Sequence, residues 1–388
     1  MTNLEFHFKK TFNRRAQFYF DTGGRFELLG NHTDHNHGLC LVANSSLRIK
    51  AAVALNETSI RIQSKGYKFF EFDIDDLTYD PNDYPATKSI CRGILSRFKE
   101  LGYKIGGFDA YITSEIPDGS GVSSSAAVES LFGYILSILY NEGKVPPIEI
   151  AKIGQYSENN YFKKPSGLLD QVGTSFANSN YIDFKNINQP YIVNLPFKMP
   201  LEIFLIKSEG NHSNLTNLYA EIPTAMKKVA HLLEGKEFLR DCSEEDIFNR
   251  IDKVNATEKE KRIAKHFFLE NYNVVNAEKA IKENNVDAFL ECVRASQKSS
   301  KENLNNTFVE GEFEDSPQDI IDKVTEYLGY NGAVRIHGGG FKGTVIVFVK
   351  RKYADDFLNF LNKNYPKNRF FKVSISNKAV NFKVFQTK

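Results

Sequence analysis

Gly24-Arg25-Phe26-Glu27-Leu28-Leu29-Gly30-Asn31-His32-Thr33-Asp34-His35-Asn36-His37-Gly38 is the most informative stretch of the chain. One arginine, one aspartate, three histidines and two asparagines crowd between glycines at each end and one inside. Glycine lets a backbone turn tightly. The polar side chains supply both donors and acceptors, which suits a ligand carrying many hydroxyls. Around this segment lie strand-like runs, with alternation or β-branched residues typical of half-buried strands. They are Gln17–Phe20, Cys40–Ala43, Leu47–Leu55, Ser59–Gln63, Phe69–Ile74 and Phe108–Thr113. Residues 1–16 form a basic amphipathic lead-in.

Further along, Ser89–Leu101 predicts a helix, and a glycine- and serine-rich loop at Pro117–Ser125 opens an apolar helix to about Tyr140. Pro146-Pro147 begins another helix, Ile148–Phe162, and strands resume at Tyr181–Phe184 and Leu201–Ile206. From Leu215 to about Leu304 the pattern is helical, with apolar residues three or four apart such as Val286, Phe289, Leu290 and Val293. Ser316-Pro317 marks a helix start. Val334–Ile336 and Val345–Val349 predict strands around a glycine turn, Tyr353–Asn364 a helix, and Phe370–Ile375 a closing strand. The shift near residue 195 predicts a two-domain α+β protein: strand-rich 1–195 carrying the loop, helix-rich α+β 196–388, a large shared interface and the active site between them.

Bulk composition bounds the function. A length of 388 residues suggests roughly two or three domains. Lysine plus arginine total 50 against 48 acidic residues, so the net charge of +2 gives no reason to expect nucleic acid or an anionic membrane as partner. Cys40, Cys91, Cys242 and Cys292 show no CxxC spacing and suit reduced thiols. The N-terminus does not resemble a signal peptide, and Val128–Tyr140 is too short to span a membrane. The expectation is a soluble cytoplasmic protein.

Pro117-Asp118-Gly119-Ser120-Gly121-Val122-Ser123-Ser124-Ser125-Ala126-Ala127 is the second strong feature. Its glycines let the backbone approach an anion, its serines add donors, and a helix N-terminus follows. Phosphate suits such a cradle, although no Walker motif is present; a serine-capped helix after a turn is the structural alternative. Gly338-Gly339-Gly340-Phe341-Lys342-Gly343 lies between two strands, either as a tight hairpin turn or as a second backbone surface closing over a ligand.

These three segments, in this order, resemble the galactokinase branch of the GHMP small-molecule kinases. Gly24–Gly38 resembles the family's GR-x-N-L-I-G-E-H-T-D-Y-N-G-G. Pro117–Ala127 is similar to P-x-G-x-G-L-S-S-S-A, with Val122 for leucine. His337–Gly343 is similar to T-G-x-G-F-G-G, with His337 for threonine and Lys342 for glycine. Glu158-Asn159 and Gly167-Leu168-Leu169-Asp170-Gln171 fall at the family's spacing, and His212-Ser213 with Tyr219 resembles its R-H-S and following tyrosine.

The resemblance implies transfer of the ATP γ-phosphate to the anomeric hydroxyl of a hexose, with ATP and a monosaccharide as partners and Mg²⁺ as cofactor. Asp170 would accept or polarise the hydroxyl proton, and Arg25 beside it would keep it ionised. Gly119, Ser120, Gly121, Val122, Ser123, Ser124 and Ser125 would cradle the phosphates. Ser125 and Glu158 would hold the metal, a hard cation suited to oxygen ligands. Asn31, His32, Asp34, Gly167 and Tyr219 would contact the sugar. Without the resemblance, Arg25 and Asp170 suit a structural ion pair and Glu158 a solvated helix-end carboxylate. His32, His35 and His37 with Asp34 also raise zinc, but HxxHxH resembles no common helical zinc motif. Asn31 stands where the family has a glutamate that reads the sugar's 6-hydroxyl. An amide there would accept a C6 carboxylate, with His35 and His37 adding positive character, so galactose leads and a galacturonate-type hexuronate is the alternative. A sugar sensor without turnover is a third possibility, although the serine loop, Arg25, Glu158 and Asp170 are all present.

Overall fold

The computed structural model describes residues 2–164, 166–209 and 216–385. His212 and Ser213, matched above to the family, lie outside the described residues. Two long strands organise the first half, β1 (Phe18–Leu29) and β2 (Leu39–Asn56), paired antiparallel. Both outrun expectation. β1 continues through Gly23 and Gly24 into the opening segment, so its last ten residues are buried. β2 fuses two expected strands, because Asn44 turns no corner. Its amide donates to the carbonyls of Gly173 at 3.1 Å and Thr174 at 3.0 Å while the chain stays extended.

β3 (Ser59–Ser64), β4 (Phe70–Asp73), β5 (Gly107–Ser114), β6 (Ser179–Asp183) and β7 (Tyr191–Leu195) extend the sheet. β5 and β6 pair with different stretches of β2, and β3 runs parallel to β5; the other pairs are antiparallel. A second, antiparallel sheet contains β8 (Leu201–Lys207), β9 (Gly332–His337), β10 (Thr344–Lys350) and β11 (Phe370–Val373), in the order β11-β8-β10-β9. The chain does not close on β11 as expected. A further strand, β12 (Val380–Val384), returns to the first sheet and pairs with β1 from Phe18 to Thr22. Its five residues alternate apolar and polar, Val380, Phe382 and Val384 against Asn381 and Lys383, as an edge strand does.

Helix α1 (Asn3–Phe12) starts with a reciprocal Thr2–Glu5 capping box and drops Phe8 onto Ala52, Ala54 and Tyr111. α2 (Ala86–Glu100), α3 (Ser124–Tyr140), α4 (Pro147–Asn160) and α5 (Leu169–Ser175) pack together over the sheet. α3 is apolar nearly all round and therefore central. Burying Leu131, Phe132, Ile135 and Leu136 contributes about 1.5–3 kcal/mol each. α6 (Thr216–Glu234), α7 (Ile247–Lys253), α8 (Glu258–Lys282) and α9 (Val286–Ser299) form the helical section. α10 (Pro317–Leu328), with Ser316 capping its N-terminus, and α11 (Ala354–Asn364) cover the second sheet through Ile320, Val324, Phe357 and Leu361. One hydrophobic cluster runs from Phe26 and Leu41 in the first sheet to Leu205 and Phe348 in the second. No helix among the described residues is long and apolar enough to cross a membrane.

Candidate active site

The opening segment leaves the sheet through two irregularities. The β1–β2 register shifts between Gly23 and Arg25 and again between Glu27 and Leu29. Such bulges re-aim side chains. Arg25 and Glu27, two residues apart on one strand face, both line a cavity of about 190 Å³ under the segment, together with Asn31, Asp34 and Asp170. A second cavity of about 370 Å³ runs along the serine loop and the glycine turn between β9 and β10. Arg25, Asp170, Gly338 and Gly339 belong to both.

Arg25 and Asp170 meet at that junction. Arg25 Nε donates to Asp170 Oδ1 at 2.7 Å, and its Nη1 donates to the Gly121 carbonyl at 2.5 Å. Ser123 Oγ donates to Asp170 Oδ2 at 2.5 Å. Burial alone would push the Asp170 carboxyl up. The charge and hydrogen bond of Arg25, then the Ser123 hydroxyl, outweigh it and hold the group below its ordinary value. α5 delivers Asp170 from its first turn. Gly173, one turn on, permits the approach, since a methyl there would lie 2.6 Å from Arg25 Cβ.

The loop is open for an anion. Ser123 occupies the N-cap of α3 at φ +54° but caps nothing, because its hydroxyl has gone to Asp170. The first backbone N–H groups of the helix are left without a side-chain cap. Ser120 Oγ is buried without a partner among the described residues. Gly119 and Gly121 take φ +66° and +73°. Ser125 lines the cavity and its Oγ donates to Glu158 Oε1 at 3.2 Å. Glu158 is 1% exposed, so it is no solvated helix-end carboxylate. It binds the Lys164 ammonium at 2.8 Å and accepts from Gln171 at 2.8 Å. Gln171 also donates to buried Glu129 at 3.0 Å, whose carboxyl is pushed well up by burial and then by Glu158.

Asp34 faces the first cavity beside Gly167, where a methyl would lie 2.7 Å from Asp34 Oδ2. The exposed His35 ring stands 3.6 Å from Asp34. His32 Nε2 bonds the Gly339 carbonyl at 2.8 Å, and burial lowers its pKa to about 4. His37 stacks on Phe238 at 3.8 Å, also lowered by burial, so neither ring adds positive charge at neutral pH. Among the described residues no three His, Cys, Asp or Glu side chains converge to hold a metal. Tyr219 lines the second cavity, its hydroxyl donating to Gly340 at 3.1 Å. Lys342 pairs with Glu312 at 2.6 Å.

Asn31 departs from the sequence expectation. Its Nδ2 donates to Glu27 Oε1 at 3.1 Å and Gly338 O at 2.6 Å; its Oδ1 accepts from Asn306 at 2.9 Å and Ser300 at 3.4 Å. The amide is saturated by protein and is 1% exposed. The carboxylate in this corner is Glu27, backed by fully buried Arg335 at 3.0 Å. Sequence reasoning passed over Glu27, although the signal was present: the family pattern has asparagine at its position and glutamate at that of Asn31. The helical section also looked generic, yet α8 holds the segment's backbone. Glu270 accepts from Gly30 at 2.9 Å and Asn31 at 3.2 Å, His266 bonds the Asn31 carbonyl at 2.8 Å, and Asn271 accepts from Leu39 at 2.8 Å.

Comparison with known proteins agrees with this geometry. Residues 89–178 match the GHMP kinases N terminal domain, and residues 7–55 match the galactokinase galactose-binding signature. The galactokinase of Lactobacillus helveticus is 29% identical over 367 residues, 92% of each chain. That of Bacillus subtilis (strain 168) is 26% identical over 90% of this chain and 89% of its own. The solved Lactococcus lactis galactokinase complexed with galactose shares the fold, with a TM-score of 0.82 at 24% identity over 96% of this chain and 97% of that one. A mevalonate kinase is more distant, at TM-score 0.64 and 18% identity over 93% and 99% of the two chains. The fold and site are thus similar to those of the ATP-dependent kinases of the GHMP class. Within that class the relatives that match over nine tenths of the chain are galactokinases, which supports a sugar 1-kinase.

Proposed function

We propose that the chain phosphorylates the anomeric hydroxyl of galactose, with Asp170 as the group that takes the hydroxyl proton. The observation that carries this is the Arg25–Asp170 pair at the junction of the two cavities. Phosphoryl transfer asks little covalent chemistry of the protein; it asks for in-line positioning and neutralisation of charge. The sugar lies under Gly24–Gly38 with its C1 hydroxyl at Asp170. Asp34 accepts from neighbouring sugar hydroxyls, a task suited to the two oxygens of a carboxylate. The ATP phosphates lie along Gly119–Ser125. Arg25, already beside Asp170, keeps it ionised and meets the charge of the moving phosphoryl group.

The donor set fits Mg²⁺. Ser125 Oγ and Glu158 are hydrogen-bonded to each other, and a cation, the Lys164 ammonium, already sits on that carboxylate. Ser125 and Glu158 would hold the metal, which neutralises phosphate charge when bound.

Three carboxylates, Glu27, Asp34 and Asp170, line the sugar cavity against one arginine, Arg25, whereas the Asn31 amide is spent within the protein. A C6 carboxylate would enter against like charge, which low-dielectric surroundings make costly. This favours a neutral hexose over a hexuronate, and the curated relatives are galactokinases. The test is ADP release over galactose, galacturonate, glucuronate, N-acetylgalactosamine and arabinose. Turnover on galactose with none on galacturonate supports the reading. Faster turnover on galacturonate, or none on any sugar, overturns it.

A further inference from the structure

The second cavity contains a polar group that the mechanism above does not use. His337 ends β9, is 4% exposed and lines the cavity together with the serine loop. Its Nε2 accepts the backbone N–H of Glu27 at 3.1 Å. A neutral imidazole has one donor nitrogen and one acceptor, so this bond places the ring proton on Nδ1. Nδ1 is buried and has no partner among the described residues. It points at the phosphate loop: a methyl built on Gly121 would come within 3.1 Å of it. A buried donor left without an acceptor is costly, and such a group calls for an explanation.

We propose that His337 Nδ1–H donates a hydrogen bond to an oxygen of the phosphoryl group as it passes from ATP to the sugar, an inference that rests on the kinase reading above. The ring is fixed in advance by the Glu27 N–H, so it need not reorganise as charge develops. Burial, then the neighbouring Arg25 and Arg335, keep the imidazole neutral, so it acts as donor and exchanges no proton with substrate. The family pattern has threonine here, a rotatable hydroxyl; this chain substitutes a rigid N–H.

His337→Gln isolates the donor, because its side-chain carbonyl can still accept from the Glu27 N–H while nothing replaces Nδ1–H. The expected result is a kcat lower by about 10²-fold, with sugar KM and thermal midpoint unchanged. His337→Asn, with an amide N–H near the Nδ1 position, recovers part of the loss. A His337→Gln variant with wild-type kcat overturns the proposal. A second measurement needs no turnover: the ring ¹H–¹⁵N spectrum of the wild-type protein, with a non-hydrolysable ATP analogue and Mg²⁺ added. The His337 Nδ1–H resonance should shift on saturation. An unmoved resonance, or a proton found on Nε2, also overturns it. A shift without turnover on any sugar would instead fault only the substrate assignment.

Discussion

At the residue scale, the proposed chemistry depends on which charge faces Asp170. Its carboxyl is held below the ordinary range because Arg25 and Ser123 outweigh burial. The ionised form therefore persists down to acid pH, and Asp170 should set no limb in the pH–rate profile between about pH 5 and 8. Arg25→Leu removes the largest lowering influence and leaves the burial. The carboxyl then rises toward the range where it protonates, so kcat/KM should fall at least about 10²-fold at pH 7 and recover as pH rises. A pH-independent loss would contradict this account. Glu27 makes a separate prediction. Glu27→Ala strands Arg335, which is fully buried, and should cost about 3–5 kcal/mol in urea unfolding. Arg25, Asp34 and Asp170 were legible in the sequence because each stands in a recognisable motif. The Arg335 partner of Glu27 and the saturation of Asn31 were not, because both depend on residues roughly 270 to 310 positions away, Ser300, Asn306, Arg335 and Gly338.

At the element scale, the serine loop and the glycine turn between β9 and β10 work as facing backbone surfaces. The turn is the more constrained. Gly340 has φ +85°, and a methyl there would lie 2.3 Å from the Asn306 carbonyl. Asn306 in turn holds Asn31 at 2.9 Å. Gly340→Ala should therefore push the turn away from both cavities, lowering kcat/KM at least about 10-fold and reducing the thermal midpoint; wild-type kinetics would refute the coupling. Helices α2, α3, α4 and α10 were foreseeable from apolar periodicity and caps. The seven-residue α5, which carries Asp170, was not, since Leu169–Ser175 spans only two turns and begins without a side-chain cap. The glycines and polar residues of β1 have the composition of a loop; burial against the second sheet and α3 makes it a strand.

At the scale of the whole molecule, the two sheets share one core, and the last strand returns to the first. β12 covers the β1 edge, Phe382 packs on Phe18 and Phe20 at 5.9 and 5.0 Å, and Arg48 donates to the carbonyls of Lys378 and Ala379 at 2.9 and 3.1 Å. A chain ending at Asn377 should melt lower and aggregate through the bared edge, while its folded fraction keeps the wild-type sugar KM; an unchanged midpoint would contradict this. Most of the strands were visible in the sequence, but their division into two sheets and the return of the terminus were not, because sequence order does not reveal which edge a strand joins. The central claim is that both cavities deliver their ligands to Asp170 for transfer to an anomeric oxygen. Its most direct test is ³¹P NMR of the product formed from galactose and ATP, with Asp170→Asn as control. The account predicts a sugar phosphate whose phosphorus couples to the anomeric proton, and no product from Asp170→Asn. Phosphate on another carbon, or wild-type turnover by Asp170→Asn, would contradict it.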